Sequence, residues 1–385
     1  MPCPGTAFAN ARTAFHHGRP QTRQPQSAEM QAGLFDDPAA ASSPAAASAR
    51  PLAAVWPLQR DAALLALRQR LDSRFGPRWH LGTSSWHFPG WHGLVWDGAR
   101  PVPDTSVLSR QGLAAYAQHP LLRCVSLDRT FYRAMSADSY AGLAAQAIGA
   151  QTDAASAHAE CRFRFVVKVL SQVTDAQRRD PGTGASRGTN PAFLDPDLAM
   201  DLAVHPAVSG LGQSLGVLVF QLSPLPMAML AQPQALFARL QRLWLKVLPA
   251  LPPGAVAALE VRDSELLTPA LAQHLKGNGV RYCLGLHDRM PCAEEQLPML
   301  RALWPGDLVC RWNLQRGQRY AQARDRWAPF DRLQAPDEAT RRVLARVSQA
   351  TLNAGHRVFV TINNKAEGCA PRSVLALAQT LADLP

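Results

Sequence analysis

Gly216-Val217-Leu218-Val219-Phe220-Gln221-Leu222 is an unbroken apolar and β-branched run. After Ser223-Pro224-Leu225-Pro226 comes Ala235 to Leu248, with Leu236, Leu240, Leu243 and Val247 at helical spacing, and then Val256-Ala257-Ala258-Leu259-Glu260-Val261-Arg262. A run without polar alternation reads as a strand buried on both faces, and a helix between two such strands makes them parallel neighbours. The unit repeats in both directions. Eight runs of this kind are present: Trp79 to Trp86, Arg123 to Asp128, Phe163 to Val169, Gly216 to Leu222, Val256 to Arg262, Arg281 to His287, Asp307 to Trp312 and Val358 to Asn363. Strand and helix alternating eight times predict an α/β fold, a TIM-type parallel (β/α)8 barrel, and the span of about 290 residues fits one such barrel. An open doubly wound sheet uses the same elements, but no Gly-rich fingerprint opens the first strand-to-helix turn.

Outside this span the character changes. Residues 1–51 are rich in Pro, Ala, Ser, Gln and Arg without apolar periodicity, which predicts a disordered low-complexity tail. Residues 52–78 form an N-terminal helical extension. Its helix is expected from Leu58 to Phe75, with Leu64, Leu65, Leu67 and Leu71 on or near one face and Gly76-Pro77 as the stop. The barrel domain is assigned to 79–385.

Composition sets the outer bounds. With 47% hydrophobic residues the chain can build a sizeable core, and no stretch reaches the roughly 18 uncharged apolar residues of a membrane span. A soluble, cytoplasmic protein without membrane contact is expected. Seven cysteines, at 3, 124, 161, 283, 292, 310 and 369, form no CxxC pair and no Cys/His cluster, so most read as small apolar core residues. The net charge of +11 comes from 40 Lys and Arg against 29 Asp and Glu, yet only Lys168, Lys246, Lys276 and Lys365 are lysines. That skew towards Arg is what a GC-rich genome also produces, so placement carries more information than the total.

Barrel proteins place their chemistry at the C-terminal ends of the strands, where the side chains converge on one mouth. The eight runs end in Thr83-Ser84-Ser85-Trp86, Asp128-Arg129-Thr130-Phe131-Tyr132, Lys168, Gln221, Glu260-Val261-Arg262, His287-Asp288, Arg311-Trp312-Asn313 and Asn363-Asn364-Lys365. Glu260 and Arg262 stand two apart and so share a face, which places both in the lumen. A Glu beside Arg262 and Arg311 has its pKa held down and serves as ligand or orienter; a structural ion pair closing the barrel explains the same residues. Lys168 reads as an anion anchor, a base of lowered pKa or a partner of Glu260. His287-Asp288 suits an acid/base pair or metal ligands, with one of the two expected to point away from the site. The candidate catalytic set is therefore Lys168, Glu260 and Asp288, with Trp86, Tyr132, Gln221, Arg262, Arg311, Asn363 and Asn364 as candidate substrate contacts. No nucleotide-cofactor motif is present, and carboxylates at the mouth are compatible with a divalent metal.

These residues also carry a resemblance. Gly82-Thr83-Ser84-Ser85-Trp86 with Pro89-Gly90-Trp91, Thr130-Phe131-Tyr132, Phe165-Val166-Val167-Lys168, Gly216 to Pro224, Glu260-Val261-Arg262, and Asn363-Asn364 with Ala370-Pro371 occur in the order found in the YecE-like family, domain of unknown function 72. The chain resembles that family from about His80 to Leu381. The resemblance implies a TIM-type barrel with a pocket at its mouth and no particular reaction. It departs at polar positions: Ser126-Leu127-Asp128 stands for the family's Glu-x-Asn, Thr174-Asp175 for its Thr-His, and Arg311-Trp312-Asn313-Leu314 for its Arg-x-His-Gly. Those departures put proton transfer and metal binding by this member in question.

Two further segments offer alternatives. Ser171 to Ser214 lacks strong periodicity and reads as a lid over the mouth or a mobile insertion. Arg316, Arg319, Arg324 and Arg326, interleaved with Trp312, Tyr320 and Trp327, suit phosphate contact and base stacking, or a solvated Arg-rich helix with Trp beneath it. In the tail, Gln31-Ala32-Gly33-Leu34-Phe35 is similar to the peptide by which bacterial DNA-processing proteins dock on the sliding clamp. Three functions are compatible with these letters: a hydrolase or lyase acting on a small anionic or phosphorylated ligand, a nucleic-acid-acting phosphodiesterase with a clamp-binding tail, and a catalytically reduced binding module.

Overall fold

A computed structural model of the chain describes residues 55–150, 163–180, 183–315, 317–318 and 320–385. Eight strands close into one barrel: β1 (Trp79–Thr83), β2 (Cys124–Leu127), β3 (Arg164–Lys168), β6 (Leu215–Gln221), β7 (Val256–Glu260), β8 (Arg281–Leu286), β9 (Leu308–Trp312) and β10 (Val358–Ile362), every pairing parallel. All eight expected runs are strands. The polar residues that end several of the runs lie just past the ladder, at the mouth.

Helices cover the outside, among them α1 (Ala62–Phe75), α2 (Thr105–Ala117), α3 (Ala137–Gly149), α4 (His205–Leu211), α5 (Pro233–Ala250), α6 (Pro269–Gly277), α7 (Leu297–Ala302), α8 (Tyr320–Trp327), α9 (Glu338–Asn353) and, after the short buried turn α10 (Asn364–Glu367), α11 (Ala370–Asp383). Their ends follow side-chain chemistry. Asp61 caps α1 by accepting from Ala63 and Leu64 N–H, and Asp337 caps α9 by accepting from Thr340 N–H. The α1 helix thus starts later than its apolar pattern suggested, with Pro57 bridged to Trp96 instead. It buries Leu67, Leu71 and Phe75, while Leu65, expected near the same face, is 40% exposed.

Ser171 to Ser214 is neither a bare lid nor an unstructured insertion. It holds a hairpin of β4 (Gln177–Arg179) and β5 (Ser186–Thr189), then the helical run from Pro196 that leads into α4. That run passes through a π-helical turn at Met200–Val204, so Ala199, Met200, Ala203, Val204, Ala207 and Leu211 are buried without regular 3.6-residue spacing. Gly210 lets α4 lie against α3: a Cβ there would stand 2.3 Å from the Ala137 carbonyl oxygen.

Among the described residues Cys124, Cys283, Cys310 and Cys369 are buried and free, as apolar fillers should be. No helix among them is long and apolar enough to cross a membrane.

Candidate functional site at the barrel mouth

An apolar plug fills the barrel interior. Val166, Val219, Ala258, Cys283, Val309 and Phe359 each contribute from a different strand. Since side chains on a strand alternate, the residue two positions on faces the same lumen one layer nearer the mouth. That rule yields Lys168, Gln221, Glu260, Gly285, Arg311 and Thr361. The charged layer therefore lies directly on the plug, at the C-terminal ends of six strands.

Glu260 is fully buried at its centre. Its Oε1 faces Arg262 Nη2 at 2.7 Å and its Oε2 faces Arg311 Nη1 at 2.5 Å. Asn313 Nδ2 donates to Oε1 at 3.5 Å. Gly285 makes room for this arrangement, as a Cβ there would meet Glu260 Cγ at 3.2 Å and Oε1 at 3.3 Å. Burial alone would raise the Glu260 pKa, but Arg262, Arg311 and Lys168 outweigh it and hold the carboxyl at about 2. Glu260 is an ionised orienter.

Arg311 reaches across the lumen with its other nitrogen, donating from Nη2 to Asp128 Oδ1 at 2.7 Å. Ser126 Oγ donates to the same oxygen at 2.7 Å. Ser126-Leu127-Asp128, a departure from the family's Glu-x-Asn, therefore still supplies one carboxylate, from its second polar position. Burial opposes the charge on Arg311, and Asp128 and Glu260 more than offset it, so its pKa is raised. Gln221 Oε1 accepts from Arg262 Nη2 at 2.8 Å and from Arg311 Nη1 at 3.4 Å.

The two guanidinium and two carboxylate charges cancel, which leaves the lysines as the excess. Lys168 is 4% exposed, and its Nζ lies 3.6 Å from the centroid of the Phe131 ring. That Nζ has no hydrogen-bond or ion-pair partner among the described residues, while the backbone carbonyl of Lys168 accepts from Thr130 Oγ1 at 2.6 Å. Burial first, then the nearby Arg311, lowers its pKa to about 7, against the pull of Asp128 and Glu260. Lys365, after β10, donates from Nζ to Asn363 Oδ1 at 3.3 Å and is likewise brought to about 7 by burial, with Asp128 opposing. Two nitrogens of Arg262, Nε and Nη1, and Nε of Arg311 are buried without a hydrogen-bond partner.

The remaining candidates divide. Lys168, Gln221, Glu260, Arg262 and Arg311 come together in one cluster, and Asn363 accepts from Lys365 Nζ. Trp86 is buried under α2 and donates to the Leu108 carbonyl at 3.1 Å. Asn364 Oδ1 accepts from Trp91 Nε1 at 3.2 Å and from Ala370 N–H at 2.8 Å, which ties the loop after β1 to α11. Tyr132 is 39% exposed and packs edge-on against Phe131. His287 Nδ1 contacts Asp288 Oδ1. Burial and Arg262 lower the His287 pKa; His287 outweighs burial to lower that of Asp288. The two neighbours are in contact rather than pointing apart, because they follow the last ladder residue, Leu286, and the alternation ends there. Asp175, at the family's His position, is occupied with Gln177 N–H and Arg179 Nε in the hairpin.

Sequence reasoning passed over Asp128 as a site residue, and Phe131. Asp128 lies one residue past the end of β2, where strand alternation no longer fixes the direction of a side chain. Among the described residues no group of three or more His, Cys, Asp or Glu could hold a metal ion. In α8, Trp327 is buried with Leu314, Ala323 and Phe330, while Arg326 is exposed. Arg316, Arg319 and the Gln31 to Phe35 stretch lie outside the described residues.

A closed parallel barrel with converging polar and charged residues at its C-terminal mouth defines a TIM-type barrel protein with a candidate ligand site. Residues 80–384 match the family described as protein of unknown function DUF72, and the chain belongs to that family. Solved structures similar to this chain include a DUF72 family protein from Thermotoga maritima, with a TM-score of 0.48 and 15% identity over 80% of this chain and 100% of that one. Another is a DUF72 family protein from Enterococcus faecalis, with a TM-score of 0.47 and 14% identity over 80% of this chain and 98% of that one. Comparison with curated proteins returns no match.

Proposed function

We propose that the barrel mouth binds a small anionic or phosphorylated ligand and acts on it as a hydrolase or lyase. The observation that carries this reading is the set of buried, unpartnered donors, Arg262 Nε and Nη1, in a layer whose paired charges already cancel. Donors buried without partners are costly, and a ligand anion satisfies them. Lys168 and Lys365 add positive charge when protonated. Glu260 holds Arg262 and Arg311 in place; Lys168, with a pKa of about 7, supplies a base near neutrality. Asp288, paired with His287 at the rim, is the remaining carboxylate of the set.

Isothermal titration with inorganic phosphate tests the reading. The wild-type protein is expected to bind, and Arg262→Gln to weaken binding roughly 10- to 100-fold, the worth of a lost charged hydrogen bond of about 1.5–3 kcal/mol. Equal affinity of the two proteins sinks it. A nucleic-acid phosphate has the same chemistry, and Arg324, which acts on the Lys365 charge, extends the positive field beyond the lumen. Oligonucleotide binding that falls steeply with salt would favour that ligand.

A further inference from the structure

We propose that Lys168 is an imine-forming nucleophile for a small carbonyl compound that also bears a carboxylate or phosphate. The inference rests on the anion-binding reading, since Arg262 holds the anionic group while Lys168 meets the carbonyl.

A lysine kept for charge balance in a buried layer closes on a carboxylate. Lys168 does not. Both oxygens of Glu260 are taken by Arg262 and Arg311. Oδ1 of Asp128 is taken by Arg311 and Ser126. The Lys168 ammonium instead faces an aromatic wall, Phe131, with 4% of the residue exposed. Burial in that setting, reinforced by Arg311, leaves a pKa of about 7, so the neutral amine is accessible near neutral pH. Lys246 and Lys276, by contrast, are exposed on α5 and α6.

The step balances without a redox partner. The Nζ lone pair forms a bond to the carbonyl carbon, and the π pair moves to oxygen. One proton leaves nitrogen and one reaches that oxygen, giving a carbinolamine. A second proton transfer expels the hydroxyl as water while nitrogen forms the C=N bond, so amine plus carbonyl becomes imine plus water. Oδ2 of Asp128, which has no hydrogen-bond partner among the described residues, carries the proton between nitrogen and oxygen and ends as it began. Asp128 acts electrostatically on both Lys168 and Lys365, so the same carboxylate is felt by the nucleophile and by a second lysine of similar pKa.

The test uses the full chain with pyruvate and sodium cyanoborohydride, followed by digestion and mass mapping of all four lysines. Expected is one reduced pyruvyl adduct on Lys168, with Lys246, Lys276 and Lys365 essentially unmodified, forming faster as pH rises through about 7. Acetone, a carbonyl without the anion, and pyruvate with Arg262→Gln should both label Lys168 roughly tenfold more slowly or worse, as the charged anchor is lost. Thermal unfolding of Arg262→Gln confirms that the variant is folded. Labelling spread over the surface lysines, or absent from Lys168, overturns the proposal. If phosphate binds but pyruvate leaves no adduct, the imine fails and the anion site stands. If acetone labels as fast as pyruvate and phosphate does not bind, the anion site itself fails, and the proposal with it.

Discussion

Glu260 shows how a buried carboxylate is kept ionised. Its desolvation cost is large, and two guanidinium groups within 2.7 Å together with Lys168 outweigh it, so the carboxyl stays near 2 instead of its ordinary 4.5. A folded-state pKa below the unfolded value contributes stability that is complete above about pH 4.5 and lost as pH falls towards 2. The contribution is on the order of 3 kcal/mol. Urea denaturation should therefore show a steep loss of stability between those pH values in the wild-type protein. In Glu260→Gln the two arginines lose their shared counter-charge, and stability at pH 7 should fall by about 3–5 kcal/mol, with a shallower acid limb. An unchanged midpoint at pH 7 would mean the ion cluster is not what holds the lumen shut. This cluster was largely legible in the chain, because Glu260 and Arg262 stand two apart and Lys168, Gln221 and Arg311 end apolar runs. Asp128 was not, since nothing in Ser126-Leu127-Asp128 tells that β2 faces Arg311 across the lumen. Trp86 and Asn364, also among the candidate contacts, are engaged in packing and in tying loops together.

At the scale of elements, the barrel follows from strands buried on both faces, which read as continuous apolar runs and announce themselves without alternation. The connection between β3 and β6 was opaque because its helix contains a π turn, Pro206 and many small residues, which dilute the 3.6-residue signal. Register is what turns eight strands into one site. Gly285 on β8 pairs with Arg311 on β9 and leaves space for Glu260 from β7. Glu260 is pinned from two sides, so it has little freedom to yield to an added methyl group. Gly285→Ala should cost about 1–3 kcal/mol by overpacking and, by shifting the carboxylate that positions Arg262, weaken phosphate binding as well. Loss of stability with intact phosphate affinity would show that Glu260 moves without dragging Arg262, and that the two are less tightly coupled than their 2.7 Å contact indicates.

For the whole molecule, the family match begins at residue 80, yet the barrel's packing begins earlier. The α1 helix buries Leu67, Leu71 and Phe75 against the core. Its Asp72 accepts from Trp79 Nε1 at 3.1 Å and from Arg123 Nη1 at 2.6 Å, which fixes the starts of β1 and β2. Arg70 pairs with Asp383 at 2.8 Å, so the helix also clasps the end of α11. Burying three large apolar side chains stabilises by roughly 1.5–3 kcal/mol each, a large share of the about 5–15 kcal/mol that separates most folded proteins from their unfolded chains. Part of that gain is offset by the entropy of ordering fourteen helical residues. What offset cannot remove is the second loss, since without α1 the apolar surface it covered is open to water and Arg123 loses the Asp72 carboxylate. A truncation starting at residue 79 should therefore unfold at a much lower temperature than one starting at residue 55, and should be prone to aggregate. Thermal denaturation of the two followed by circular dichroism checks this, and midpoints within a few degrees of each other would show α1 to be a passenger on the barrel rather than part of its core.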